Sequence, residues 1–366
     1  MKQFALLLIF GLCACNPNKT ILDVQFHPTD RGWGSRQPVW ADEFNGTTLN
    51  TSRWVAAKFC GGYNGEQQCY RPQNISFSGG HMTLTAQVEG CDGDDPSAAA
   101  NEVGTVNCPA SDPNKADFSY TSARIHTRVS PPNPFNSWRY GRIEIRARLP
   151  YGQGTWPALW LMPESDTYGT WPRSGEIDIM ETVNLNYGNQ THDINDFLQS
   201  NLHGCYSGFY PIDPNATPTS TAAINCDTFS IPTTTSHPGI TFHKIHNPMR
   251  LEFMKIPEWE PDLVANFHTY AMEWSDADMR FFIDNRQIGR VLIAHDGQGR
   301  APFNQPFYLI INLAVGGTWP GNANTSDWLH TPDRAELVLD WVRVYTCVPD
   351  PLARNCIYQG EGLGQE

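Results

Sequence analysis

The stretch GRIEIRARLP, residues 141–150, alternates apolar and charged side chains without a break. A period of two puts Ile143, Ile145, Ala147 and Leu149 on one face and Arg142, Glu144, Arg146 and Arg148 on the other, the signature of a strand with one buried side. ELVLDWVRVY (336–345) repeats the pattern. FHTYAMEW (267–274) and MRFFIDNRQIGRV (279–291) flank Asp276-Ala277-Asp278, and Asp284-Asn285 supplies a second turn, so this region reads as a meander. Little convincing amphipathic helix occurs anywhere. Many strands with 30 Gly and 28 Pro predict an all-β sandwich of two antiparallel sheets. No linker divides residues 25–348, which therefore form one domain, followed by a C-terminal tail over 349–366. Residues 88–118 and 204–262 are too long for plain hairpin connections and read as functional loops.

Residues 1–14 begin with a lysine and continue as a short apolar run ending in small residues. That is an export signal, too short to span a bilayer. Leu12-Cys13-Ala14-Cys15 resembles a bacterial lipobox, which makes Cys15 the expected lipidation site and an outer-membrane or cell-surface lipoprotein the expected form. The other reading is an ordinary signal cut nearby, leaving a periplasmic or secreted protein. Beyond Cys15 stand Cys60, Cys69, Cys91, Cys108, Cys205, Cys226, Cys347 and Cys356. An even number in an exported chain reads as a disulfide framework, and the clustering suggests local loops over 60–69, 91–108, 205–226 and 347–356. Zinc is the competing reading, but no CxxC or paired His/Cys spacing supports it. A net charge of −13 disfavours nucleic acid and, mildly, sulfated polymers. Much of the aromatic content, including the 12 Trp, is core, yet Trp in excess also suits stacking on sugar faces.

SGEIDIMET (174–182) crowds Glu176, Asp178 and Glu181 together. On a regular strand Glu176 and Asp178 share a face while Glu181 points away. One extra residue bulged out near Ile179-Met180 returns Glu181 to the same face, and bulges are common beside active sites. The two glutamate Cα atoms then lie roughly 13 Å apart, and inward-leaning side chains bring the carboxyls near the roughly 5–5.5 Å used by retaining glycosidases. Asp178, between them, can hydrogen-bond one Glu and keep the two titrations apart. The plainer reading, an acidic solvated face, leaves unexplained why no bases interleave and why Trp156, Trp160 and Trp171 surround the acids.

EIDIME resembles the E-x-D-x-x-E signature of glycoside hydrolase family 16 in its bulged form. YTSARI (120–125), YGRIEIRARLPYGQGTWPALWLMP (140–163), WPRSGEIDIMET (171–182), PFYLIINLAVGGTWPG (306–321) and LDWVRVY (339–345) look like its bacterial endo-β-1,3-glucanase branch. The resemblance implies a β-jelly-roll sandwich with an open cleft along its concave sheet. It further implies Glu176 as nucleophile, Glu181 as acid/base and Asp178 as the assisting carboxylate, with no cofactor in catalysis. Trp160 and Trp171 match aromatics lining the cleft; Trp156 shares the face of Trp160 but is equally readable as core. Asn64 in NGEQQCY is a candidate for sugar hydroxyls, and its neighbour Glu66 for a structural partner. Arg124 and His203 correspond to cleft-facing positions, although a lone His is as readily a satisfied structural residue. Glu43, the backbone of Gly80 and Asp340 match the ligands of a structural calcium in relatives, and ordinary salt bridges are the alternative. The expected activity is retaining endo-hydrolysis of a β-1,3-glucan by a monomer. A β-galactan or a galactose-containing host glycan is the rival substrate, and a non-catalytic glucan-binding protein the rival class.

Overall fold

The computed structural model describes residues 37–88, 120–185, 198–203, 240–244, 249–253, 260–292, 302–328 and 334–346, apart from Tyr63, Pro132 and Ala277. They form an all-β sandwich. The larger sheet runs, in spatial order, Arg286–Leu292, Asp278–Ile283, His268–Trp274, Gly141–Arg148, Arg334–Tyr345, His81–Val88, Tyr120–Ser122, Gln68–Tyr70 and Phe59–Cys60. Trp40–Asp42 pairs with Arg334–Tyr345, and Ile75–Ser78 pairs with His81–Val88. The smaller sheet runs Leu198–His203, Glu176–Thr182, Thr155–Pro163, Phe307–Val315, Arg124–His126 and Val55–Ala56, with Ser137–Trp138 beside Phe307–Val315.

The alternating strands do what their pattern dictates. Ile143, Ile145, Ala147 and Leu149 are buried together with Leu159, Leu161, Leu309, Ile311 and Leu313 of the smaller sheet, in one core between the sheets. Each such aliphatic side chain contributes about 1.5–3 kcal/mol by leaving water. The meander forms as His268–Trp274, Asp278–Ile283 and Arg286–Leu292, and both turn residues, Asp284 and Asn285, take positive φ. Three features depart from the plain pattern. Gln68–Tyr70 and Tyr120–Ser122 pair in parallel, which the long excursion between them permits. Arg142, on the charged side of its strand, is buried and held by Glu144 and Glu273. Residues 240–253, inside the second expected loop, carry the antiparallel pair Ile240–Lys244 and Met249–Phe253. The first loop, 88–118, lies outside the described residues except for Val88.

Of the expected disulfides, Cys60–Cys69 is formed. Cys15, Cys91, Cys108, Cys205, Cys226, Cys347 and Cys356 lie outside the described residues.

The Glu176–Thr182 strand carries the expected bulge. Against Thr155–Pro163, Asp178 faces Trp160 and Met180 faces Leu159, so Ile179 is the extra residue. Against Leu198–His203, Asp178 faces Asn201 and Glu181 faces Gln199, leaving Ser200 opposite Ile179 and Met180 together. The Ser200 hydroxyl donates to the Ile179 carbonyl at 2.7 Å, a backbone acceptor inside the irregular step. Ile179 and Met180 are successive residues, yet they are 2% and 0% exposed in the same core. Met180→Ala is therefore expected to cost about 2–5 kcal/mol in denaturant unfolding. A loss within the roughly 0.5 kcal/mol typical of surface sites would contradict this packing.

Candidate active site

The face of the smaller sheet turned away from the core gathers the polar side chains that its strands cannot bury. Glu176 and Asp178 lie on it by alternation, and Glu181 because of the bulge. His203 joins them by register, since it is the cross-strand partner of Glu176. Its Nε2 lies 3.1 Å from Asp178 Oδ2 and 3.8 Å from Glu176 Oε1. Two indoles donate to the glutamates: Trp171 Nε1 to Glu176 Oε2 at 2.6 Å, and Trp156 Nε1 to Glu181 Oε1 at 2.8 Å. Asn201 Nδ2 donates to the other oxygen, Glu181 Oε2, at 2.9 Å.

Burial and mutual charge set the proton inventory. Burial pushes the Glu176 carboxyl up to about 7, against the pull of the His203 charge and with the push of Asp178. Burial also raises Asp178, opposed by its hydrogen bond to His203. Burial alone would lower His203, but the charge of Glu176 and the bond to Asp178 carry it up to about 9. His203 is thus a cation at neutral pH, and it offsets part of the repulsion within the acid cluster. Glu176, Asp178 and His203 also bring their ligand atoms within 4.8 Å of one another, the set among the described residues that offers itself to a metal ion. The imidazolium already supplies positive charge there.

The expected aromatics divide by role. Trp171 is 52% exposed and leans towards the His203 ring at 5.9 Å. Trp156 is both core and site: it packs with Val183, Ala314 and Trp319 while binding Glu181. Trp160 donates to Asn312 Oδ1 at 2.7 Å and lies under the Arg124 guanidinium, 4.9 Å from its ring centre. Asn64 sits in an exposed turn whose carbonyl accepts from Thr318 N–H. The approach needs glycine: a Cβ on Gly317, at φ +119, would meet the Asn64 carbonyl at 2.9 Å. Glu66 is a structural partner, accepting from Gln68 at 2.8 Å. Asn201, Asn312 and Trp319 were not among the expected site residues. They contact Glu181, Trp160 and Trp156 respectively.

Asp340 lies on the Arg334–Tyr345 strand of the other sheet, Glu43 directly after Trp40–Asp42, and Gly80 in the turn before His81–Val88. Both Glu43 oxygens accept from Arg343 at 2.8 Å. Asp340 accepts from Arg146 and lies 3.6 Å from His81. The two carboxylates thus take part in salt bridges with Arg343 and Arg146.

The family model described as glycosyl hydrolases family 16 matches residues 244–343, and one described as an XgeA-like catalytic GH16 domain matches residues 112–195. A beta-glucanase of Rhodothermus marinus is 32% identical over 322 residues, covering 85% of this chain and 85% of that protein. The laminarinase structure from Rhodothermus marinus superposes with a TM-score of 0.56 at 30% identity, covering 84% of this chain and 96% of that one. A keratan-sulfate endo-1,4-beta-galactosidase of Sphingobacterium multivorum is 31% identical over 57% of this chain and 37% of its own length. The chain likewise spans only 39% of a glucan endo-1,3-beta-glucosidase of Niallia circulans. The two-sheet jelly-roll sandwich together with these matches marks a glycoside hydrolase. The chain belongs to glycoside hydrolase family 16.

His203→Asn removes the cation beside Glu176, so the ionised form loses support and the carboxyl should titrate above its present value of about 7. Carboxyl carbon NMR across a pH series reads this directly. An unchanged or lower midpoint would show that His203 does not hold the charge of Glu176.

Proposed function

We propose that this chain is a retaining endo-glycosidase that cleaves β-1,3-glucan by double displacement. The observation that carries the mechanism is the bulge, because it alone brings Glu181 onto the face of Glu176 and Asp178. Glu176 attacks the anomeric carbon and forms a glycosyl ester, while Glu181 delivers its proton to the departing oxygen. Glu181 then takes a proton from water, which opens the ester and restores both groups. The raised Glu176 and Asp178 carboxyls share a hydrogen bond, so one proton between them leaves a single negative charge for the attack. Trp171, half exposed beside Glu176, offers a stacking surface next to the reacting carbon.

Beta-1,3-glucan is favoured by the likeness to a beta-glucanase and a laminarinase. A galactose-containing glycan is the second reading, favoured by the likeness to a keratan-sulfate endo-galactosidase. Incubation with laminarin, lichenan, agarose, porphyran and mucin separates them. Laminarin should be cut to short oligosaccharides, and activity confined to the galactans or mucin would overturn the glucan reading alone. Proton NMR of the first product should show the β anomer, whereas an α anomer would remove Glu176 as nucleophile. Glu181→Gln should lower kcat/KM by roughly 10²–10⁴-fold. Inserting one alanine between Met180 and Glu181 keeps the bulge but turns Glu181 to the core face, because a one-residue shift reverses facing. That variant should lose activity far beyond its loss of fold by circular dichroism; near-normal turnover would show that the bulge does not align the acids.

Export and anchoring through Cys15 are further parts of the proposal, supported by the apolar leader and the lipobox-like Leu12-Cys13-Ala14-Cys15. Cys15→Ala should release the protein from the membrane fraction, and a wild-type protein found wholly in the soluble fraction would end this reading.

A further inference from the structure

We infer that Asn201 is a positioning residue for Glu181, setting the direction in which that carboxyl hands over and takes back its proton. The inference rests on the assignment of Glu181 as acid/base. Asn201 is 1% exposed in the middle of the Leu198–His203 strand, opposite Asp178 in register. A buried amide packed for structure alone satisfies both of its ends. Asn201 does not: Nδ2 donates to Glu181 Oε2 at 2.9 Å and its side chain also bonds the Asp178 carboxylate, while Oδ1 is buried with no hydrogen-bond partner. The contacts made by its side chain are therefore spent on the acid cluster.

Geometry explains why a clamp is needed here. Glu181 follows the bulge, where the regular ladder on both sides of its strand is interrupted. A glutamate has a free terminal torsion that backbone register does not set. Trp156 on one neighbouring strand holds Oε1, and Asn201 on the other holds Oε2. Two donors from opposite sides fix the plane of the carboxyl group. Each oxygen keeps a second lone pair, and that pair is directed by the clamp. Trp156 is itself braced edge-on by Trp319, at 5.3 Å between ring centres. Asn201 stands on the backbone of a paired strand. Neither donor can follow Glu181 if it swings.

The test uses leaving-group dependence, which a merely structural role would not move. Proton delivery matters for a poor leaving group and hardly at all for a good one. Wild type, Glu181→Gln, Asn201→Leu and the smaller Asn201→Ala are compared on phenyl and 2,4-dinitrophenyl β-laminaribiosides, with folding checked by thermal unfolding. Both Asn201 variants lose the donor and add no charge. Their kcat/KM for the phenyl glycoside should fall roughly 10- to 100-fold, the scale of one hydrogen bond to a charged group. Their kcat/KM for the dinitrophenyl glycoside should stay within about twofold, while its kcat and KM fall together because the ester intermediate now waits for a base. If Glu181→Gln shows this split and the Asn201 variants slow both substrates equally, or neither, the positioning role is wrong. If Glu181→Gln itself shows no split, the acid/base assignment falls and the inference falls with it.

Discussion

A single irregular step, one residue too many between Asp178 and Glu181, decides both sides of the smaller sheet. On the inner side it lets Ile179 and Met180 enter the core one after the other. On the outer side it turns Glu181 back to its fellow acids. The two consequences are inseparable, because facing alternates along a strand and one inserted residue resets it for everything downstream. The apolar pair pins the bulge in place, since sliding it by one position would expose a core side chain and bury a carboxylate. Burying an unpaired carboxylate costs far more than any strand irregularity saves.

The acid cluster survives next to that core because each charge has been given a partner of suitable kind. His203 contributes the cation, and it can do so only because the strand after the bulge places it opposite Glu176. The two indoles contribute donors without charge. The glutamates therefore meet different surroundings. Glu176 shares its neighbourhood with Asp178 and the imidazolium, whereas Glu181 is clamped by two neutral N–H groups. Two identical side chains in unlike environments are what a reaction with separate nucleophilic and proton-transfer roles requires.

What could be read without a structure follows from which interactions are local in sequence. Alternation is local, so Gly141–Arg148 and Arg334–Tyr345 were legible, and the failure of Glu181 to alternate was itself a signal for the bulge. The turn pair Asp284-Asn285 was legible for the same reason. Asn201, Asn312 and Trp319 were not, because their importance arises from cross-strand register: nothing near Asn312 in sequence announces Trp160 or Tyr70. The burial of Arg142 was hidden because its partner Glu273 lies on another strand. Glu43 and Asp340 were matched by pattern, and their salt bridges to Arg343 and Arg146 come from other strands that the pattern does not name.

Trp171 and Trp156 each do two jobs at once. Trp171 donates to Glu176 and leaves half of its ring in solvent. Trp156 donates to Glu181 but is buried and braced by Trp319. Under the proposed function, a sugar stacked on Trp171 would also cover Glu176, and losing water would strengthen every electrostatic contact that carboxyl makes. On that proposal one carboxyl responds to substrate while the other is held by its two donors. That asymmetry suits a reaction in which one group must attack the bound sugar and the other must keep a fixed line to the departing oxygen.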